Sequence, residues 1–256
     1  MILFLADLHA GSTAAPWPDI SLPEGSIWRG GKTQRWLNRC WREMVSELPR
    51  LDAVVFLGDA IDGTHPRNAG LVTNRLDYQE RAAVELLSPI RDKTERFYMV
   101  AGTSWHVGEG AQHESQVAEQ LDAVVHPETK GRVWPFLMLR VGDDCLHCAH
   151  HIGFTSNVMY EPNALWRALV NLRTELQKAY GKLAPDVTGV VRAHRHRAIS
   201  VRKGNWQAFS IPSWQLKTDH AHKVAVESMP EIGYVLWDGT PRTRTFRLPS
   251  MHVETL

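Results

Sequence analysis

The fold of this chain is read most directly from the segment Val54-Val55-Phe56-Leu57-Gly58-Asp59-Ala60-Ile61-Asp62-Gly63. Its apolar, β-branched run is short and lacks period-two alternation, which predicts a strand buried on both faces, as in a parallel sheet. Gly58 lets the backbone turn where the strand stops. Asp59 then falls at the carboxyl edge of the sheet, where ligands bind in open α/β folds. An acid in this position also caps turns and helix starts. What sets Asp59 apart is recurrence: strands ending in His or Asp appear again along the chain.

The first of these runs from Ile2 to Ala6 and ends in Asp7-Leu8-His9. Two positions apart, Asp7 and His9 point the same way in an extended segment, which suits two ligands on one ion. Trp36, Leu37, Cys40, Trp41, Met44, Val45 and Leu48 form one stripe at helical spacing and predict a helix over 34–48, closed by Pro49. The loop before it, 12–33, has no periodicity; Trp17 and Trp28 within it predict a packed loop. A polar loop at 64–73 and a second helix over 76–90 follow. A strand over 97–101 then runs into Gly102-Thr103-Ser104-Trp105-His106. A helix over 114–125 completes a β-α-β-α-β-α order, which predicts a parallel, right-handed sheet covered by helices on both faces.

Beyond residue 130 the pattern changes. Strands over 133–141 and 145–149 are joined by the turn Gly142-Asp143-Asp144, and the second ends in His150-His151. A helix over 163–180 precedes a strand over 187–192 that runs into Ala193-His194-Arg195-His196-Arg197. Short strands near 199–202, 206–211, 234–237 and 243–248 close the chain. This β-rich half predicts a second sheet packed on the first. No repeat, low-complexity tract or linker divides residues 1–256, which predicts a single domain.

Composition narrows the function classes. At 256 residues and 43% hydrophobic, the chain can bury a sizeable core. A net charge of +1 excludes an overall basic field for nucleic acid, though not a local basic groove. Cys40, Cys145 and Cys148 form no paired framework, and Cys145-x-x-Cys148 has no second pair to make a zinc site. Both lie in an apolar run and are read as buried strand positions in a reducing compartment. No stretch approaches the ~20 apolar residues of a membrane span. Met1 to Ala6 lacks a basic leader region and is read as a strand. The expected location is the cytoplasm, with no membrane partner.

Five strand ends thus deliver metal-type ligands: Asp7 with His9, Asp59, the loop at His106, His150, and His194 with His196. Mixed Asp and His donors suit Zn, Mn or Fe rather than Ca or Mg, because imidazole favours borderline transition metals. The series D-x-H, G-D-x-x-D, a Gly-to-His loop, a strand-end His and an H-x-H pair resembles the calcineurin-like metallophosphoesterase superfamily. Asp7-Leu8-His9, Gly58-Asp59-Ala60-Ile61-Asp62 and Ala193-His194-Arg195-His196 carry that resemblance, over roughly residues 1–200. It implies an α/β fold, a four-layer α/β/β/α sandwich of two packed mixed sheets, with the trailing strands in the second sheet.

It also implies a binuclear centre of two divalent ions, Mn2+ first, with Zn2+, Fe2+/Fe3+ and Ni2+ as alternatives. Asp7, His9, Asp59 and His196 would hold one ion; Asp59, His150 and His194 would hold the other, with Asp59 bridging. His150 is preferred to His151 as the first residue off its strand. His106 would be the catalytic histidine, with Asp62 orienting it or a ligand. Thr103 and Arg195 would meet the substrate.

The loop Gly102-Thr103-Ser104-Trp105-His106 departs from the family's G-N-H motif by lacking Asn and by two added residues. This loop and Ile211-Pro212-Ser213-Trp214-Gln215-Leu216-Lys217 resemble phage-type members. The expected activity is hydrolysis of a phosphomonoester or phosphodiester. Arg67, Arg195 and Arg197 are candidates for phosphate, and Trp17, Trp28 and Trp105 for stacked bases of a nucleic acid or nucleotide. The competing readings are a non-catalytic metal-binding scaffold and a nuclease subunit active only with a partner.

Overall fold

The computed structural model describes residues 1–22, 24–64, 70–152, 158–218 and 229–249. Arg67, within the loop expected at 64–73, lies outside the described residues. Strands β1 (Ile2–Leu5), β2 (Leu51–Phe56), β3 (Thr94–Val100) and β4 (Val133–Trp134) pair in parallel in that order. Between them run helices α1 (Lys32–Glu47), α2 (Leu76–Arg91), the single turn α3 (Ser104–Val107) and α4 (Gln112–Gln120). The chain then forms β5 (Leu137–Val141), β6 (Asp144–Cys148), helix α5 (Glu161–Tyr180), β7 (Gly189–Arg192), β8 (Ile199–Lys203) and β9 (Trp206–Ser210). These five strands make a second sheet in the order β5-β6-β7-β9-β8. Finally β10 (Ile232–Trp237) and β11 (Pro241–Phe246) return to the first sheet, β10 antiparallel to β1 and β11 to β10. Both sheets are therefore mixed.

Three apolar layers hold four structural layers together. Leu3, Leu5, Val54, Phe56, Phe97 and Met99 meet Leu37, Trp41 and Met44 of α1 and the inner faces of α2 and α4. The alternate residues Phe4, Val55, Tyr98 and Val100 meet Leu146, Cys148, Val191 and Phe209 of the second sheet. On that sheet's far face, Cys145, Val190 and Ala208 meet Leu165 and Leu169 of α5. The architecture is α/β/β/α. Strands buried on both faces explain the unalternating run at Val54 to Leu57. Cys145 and Cys148 point to opposite faces of β6 and are free thiols. No helix among the described residues is long and apolar enough to cross a membrane.

Three expectations are corrected. The first sheet carries helices on one face only; the other face packs on the second sheet. Residues 133–141 are two strands in two sheets, because Pro135 lacks an N–H for the ladder and the chain crosses between layers there. The closing strands β10 and β11 belong to the first sheet, where β10 covers the open edge of β1. Boundaries moved less: α4 ends at Gln120 rather than 125, and Asp122 just beyond it has a positive φ that leaves helical geometry. The loop before α1 packs as expected. Trp17 is buried, its backbone N–H and C=O both bonded to the Asn38 amide, and Gln34 of α1 bonds Ser12, Ala15 and Trp28.

Candidate metal centre

Parallel pairing puts the carboxyl ends of β1, β2 and β3 on one edge, and parallel β6 and β7 put theirs on one edge of the facing sheet. The loops leaving these ends are tied together by their backbones. Asp7 N–H donates to the Gly58 carbonyl, His9 N–H to that of Asp59, Ala193 N–H to that of His150, and Trp214 N–H to that of Asp7. His194 N–H reaches across the sheets to Asp7 Oδ2 at 3.2 Å.

On this frame the described residues bring together three ligand-type groups: Asp7/His9/His196, His9/Asp59/His106 and Asp59/His150/His194. Within each, the ligating atoms lie within 4.8 Å of one another. Asp59 sits between them, with Oδ2 at 3.2 Å from His150 Nε2 and 3.9 Å from His9 Nε2. Asp7 Oδ1 is 3.3 Å from His196 Nε2, 3.8 Å from His9 Nε2 and 3.9 Å from His150 Nε2. His194 Nδ1 faces His150 Nε2 at 3.2 Å. His151 is exposed and outside these groups.

The convergence is not that of extended strands. Asp7, His9, Asp59, His194 and His196 all have positive φ, between 46° and 72°. The expectation that Asp7 and His9 align by strand alternation is therefore corrected: left-handed kinks aim them. Such backbone costs about 1–3 kcal/mol per residue and persists where surroundings over-determine it, typically at functional sites. Close packing reinforces the kinks. A Cβ on Gly102 would lie 2.2 Å from Asp59 Oδ1, and one on Gly58 2.5 Å from Gly102 Cα.

The imidazoles are held by their far nitrogens. His9 Nδ1 donates to Asp62 Oδ1 at 3.1 Å and His150 Nδ1 to the Leu57 carbonyl at 2.5 Å, so that in the neutral ring each Nε2 is an acceptor aimed inward. His106 Nδ1 donates to the Asp62 carbonyl at 2.7 Å, and its ring meets that of His9 edge-on at 4.5 Å. Asp62 itself accepts from Gln215 Nε2 at 3.0 Å. Thr103 spends both its N–H (2.6 Å) and its hydroxyl (2.9 Å) on Asp59 Oδ1. Arg195 and Arg197 lie 3.5 and 3.4 Å from the two oxygens of buried Glu161 at the start of α5.

The electrostatics is strongly coupled. Burial alone would raise the Asp59 carboxyl, but the charge of His150 and its hydrogen bond outweigh that and hold it far below the usual range. Burial likewise opposes the charging of His9 and His150, yet the carboxylates around them raise them to about 10 and about 9. His194 is pushed down to about 4 by burial and by His150. His106 is lowered by burial and by the charge of His9. The site favours positive charge on the inward nitrogens of His9 and His150, which suits a dication there. The donor set agrees, since carboxylate and imidazole together suit borderline metals. So do two buried atoms, Asp7 Oδ1 and His9 Nε2, which face the cluster without a hydrogen-bond partner.

Sequence reasoning missed two supports. Glu114, fully buried in the first turn of α4, accepts the N–H of Ala60 at 3.2 Å and of Gly102 at 2.8 Å. Burial and the nearby Asp59 charge push it up to about 7. Nothing local in the sequence separates it from an ordinary helix-start acid. Nothing local in segment 211–217 gives Gln215 a role.

No family model and no curated protein matches the chain. Among solved structures it is similar to Vps29 from Chaetomium thermophilum, at 12% identity and a TM-score of 0.47, over 97% of each chain. It is similar to an archaeal phosphodiesterase at 9% identity and 0.43, over 96% of this chain and 99% of that one. It is also similar to Vps29 from Entamoeba histolytica complexed with zinc, at 11% and 0.41, over 96% and 97%. At these identities and scores the reading of the site rests on its own geometry.

Proposed function

We propose that the chain is a metal-dependent phosphoesterase of the calcineurin-like kind. The observation that carries this is the buried Asp59 carboxylate shared between two His/Asp groups at the strand ends. Asp7, His9, Asp59 and His196 would hold one ion, and Asp59, His150 and His194 the other, with Mn2+ the first candidate. Bound there, the ions would supply positive charge for a phosphoryl group and for the deprotonation of an attacking water.

The chain's own residues do the rest. Asp62 fixes the tautomer of His9 through its carboxylate and that of His106 through its carbonyl. Charged as the imidazolium, His106 would pass the proton on its other ring nitrogen to the leaving oxygen. Glu161 orients Arg195 and Arg197; two guanidiniums on one carboxylate leave positive charge beside His194 and His196 for the phosphate. Thr103, expected to meet substrate, is assigned instead to holding Asp59.

A nucleic-acid or nucleotide substrate is supported by Trp105, which stays 65% exposed one residue from His106 while Trp17 is buried. The phage-type affiliation rests on the 102–106 loop and segment 211–217 alone. The three buried thiols suit a reducing cytoplasm.

The test is hydrolysis of p-nitrophenyl phosphate and bis-p-nitrophenyl phosphate with added Mn2+, followed by a panel of nucleic-acid ends, cyclic nucleotides and phosphoproteins. Activity with at least one ester, lost on Asp59→Asn, is expected. No turnover with any metal, while Mn2+ still binds, would replace this reading with a metal-binding scaffold or with a subunit that needs a partner. The absence of the motif's Asn in the 102–106 loop favours the scaffold reading.

A further inference from the structure

We propose that Glu114 is a positioning residue of the metal centre: its carboxylate ties the loop carrying Asp59 to the loop carrying Thr103 and His106. The proposal rests on the phosphoesterase reading for its kinetic consequence, but not for its geometry.

The two loops leave neighbouring parallel strands, β2 and β3, whose ladder pairing stops at Phe56 and Met99. Beyond that point they come into direct contact. Gly102 lies so close to Asp59 that a Cβ would sit 2.3 Å from the Asp59 nitrogen and 2.2 Å from Oδ1. No side chain fits between them; besides the direct bonds from Thr103 to Asp59, the two loops are held from the side of α4.

Glu114 does so with one oxygen on each loop: Oε1 accepts the Ala60 N–H and Oε2 the Gly102 N–H. Both amides lie next to residues that matter. Ala60 follows Asp59, and Gly102 precedes Thr103, whose N–H and hydroxyl bond Asp59 in turn. A closed circuit results, from Glu114 through Gly102 and Thr103 to Asp59 and back through Ala60. The position of Glu114 is set by its helix, since Val117 and Ala118 of α4 are packed into the core under the first sheet.

Only an ionised carboxylate completes this circuit. It offers two acceptors and no donor, so each oxygen can take one N–H. A glutamine would turn an NH2 group against one of the two amides and leave a buried N–H without an acceptor. Glu114→Gln removes one arm of the clamp at nearly constant volume. Glu114→Asp keeps both acceptors on a shorter stem.

The experiment uses the full chain. Mn2+ is titrated calorimetrically into metal-free wild type, Glu114→Gln and Glu114→Asp. Steady-state hydrolysis of bis-p-nitrophenyl phosphate is then measured for all three. Amide exchange at Ala60 and Gly102 is followed by NMR. For Glu114→Gln, Mn2+ affinity or kcat falls by roughly 10–100-fold, the range seen when groups that orient metal ligands are removed. KM changes little and the circular dichroism spectrum is retained. Glu114→Asp falls between. In wild type the two amides exchange as slowly as the strand amides of β2.

Wild-type Mn2+ affinity and kcat in Glu114→Gln would overturn the proposal. So would fast exchange at both amides in the wild type, which holds even where the variants do not fold. Absence of hydrolysis in the wild type would instead count against the phosphoesterase reading, with the clamp still judged by Mn2+ affinity and exchange.

Discussion

Gly102→Ala is the substitution whose effect follows most directly from the structure. The added Cβ would lie 2.2 Å from Asp59 Oδ1, 2.3 Å from Asp59 N and 3.1 Å from its Cα. Two of these atoms are backbone, so a side-chain rotation cannot relieve the clash. Overpacking of this kind costs about 1–3 kcal/mol. A retreat of Asp59 would also stretch the bonds from Thr103 N–H (2.6 Å) and hydroxyl (2.9 Å). Bonds to a charged group are worth about 1.5–3 kcal/mol each when broken outright, and here they are strained rather than lost.

A destabilisation of about 3 kcal/mol is expected, which for a chain of this size is a fall in Tm of roughly 6–12 °C. Because Asp59 is shared between two ligand groups, Mn2+ affinity should fall with it. Urea denaturation of the metal-free protein and a Mn2+ titration measure the two effects. Gly131→Ala is the control: its nearest neighbour is Thr129 Oγ1 at 3.7 Å, and the change should stay within about 0.5 kcal/mol. If Gly102→Ala matched that control in stability and Mn2+ affinity, the close approach of the two loops would not be what fixes Asp59.

Further outcomes follow from other parts of the structure. Gln215→Leu removes the buried donor to Asp62 Oδ1 and should destabilise by about 1–2 kcal/mol in urea, with weaker Mn2+ binding through His9; wild-type behaviour would break the link from segment 211–217 to the site. His147, part-buried on β6 and stacked on Phe136, is lowered by burial and by Arg192 to about 4. Its folded value lies below the unfolded one, so the unfolded chain takes up the proton first and stability falls as pH drops from 6.5 towards 4, by at most about 3 kcal/mol. His147→Leu should flatten that part of a stability-against-pH profile; an unchanged slope would mean that other groups produce it.

Much of the candidate site was legible because its Asp and His residues sit at strand ends, and strand ends can be read. An apolar run stopping at Gly58-Asp59, or at Asp7-Leu8-His9, marks both the element and the residue that leaves it. The structure places His150 against Asp59 and leaves His151 exposed. What could not be read was the backbone that does the aiming. Asp7 and His9 looked like neighbours on one strand face, yet both sit in left-handed kinks that depend on hydrogen bonds to Gly58 and Asp59. Glu114 and Gln215 carry no local mark, because their roles exist through partners 12 and 54 residues away for Glu114 and 153 for Gln215.

The alternation of helices and strands, the burial of the central strands and the residue types gathered at their ends are all readable in the sequence. Apolar periodicity and turn chemistry act over a few residues, and they are written locally. The tertiary structure alone decided that the closing strands return to β1, that Pro135 marks a change of sheet, and that five kinked residues aim their side chains at one place. Those outcomes depend on which sheet edge is open and which loops touch, and both are properties of the packed layers.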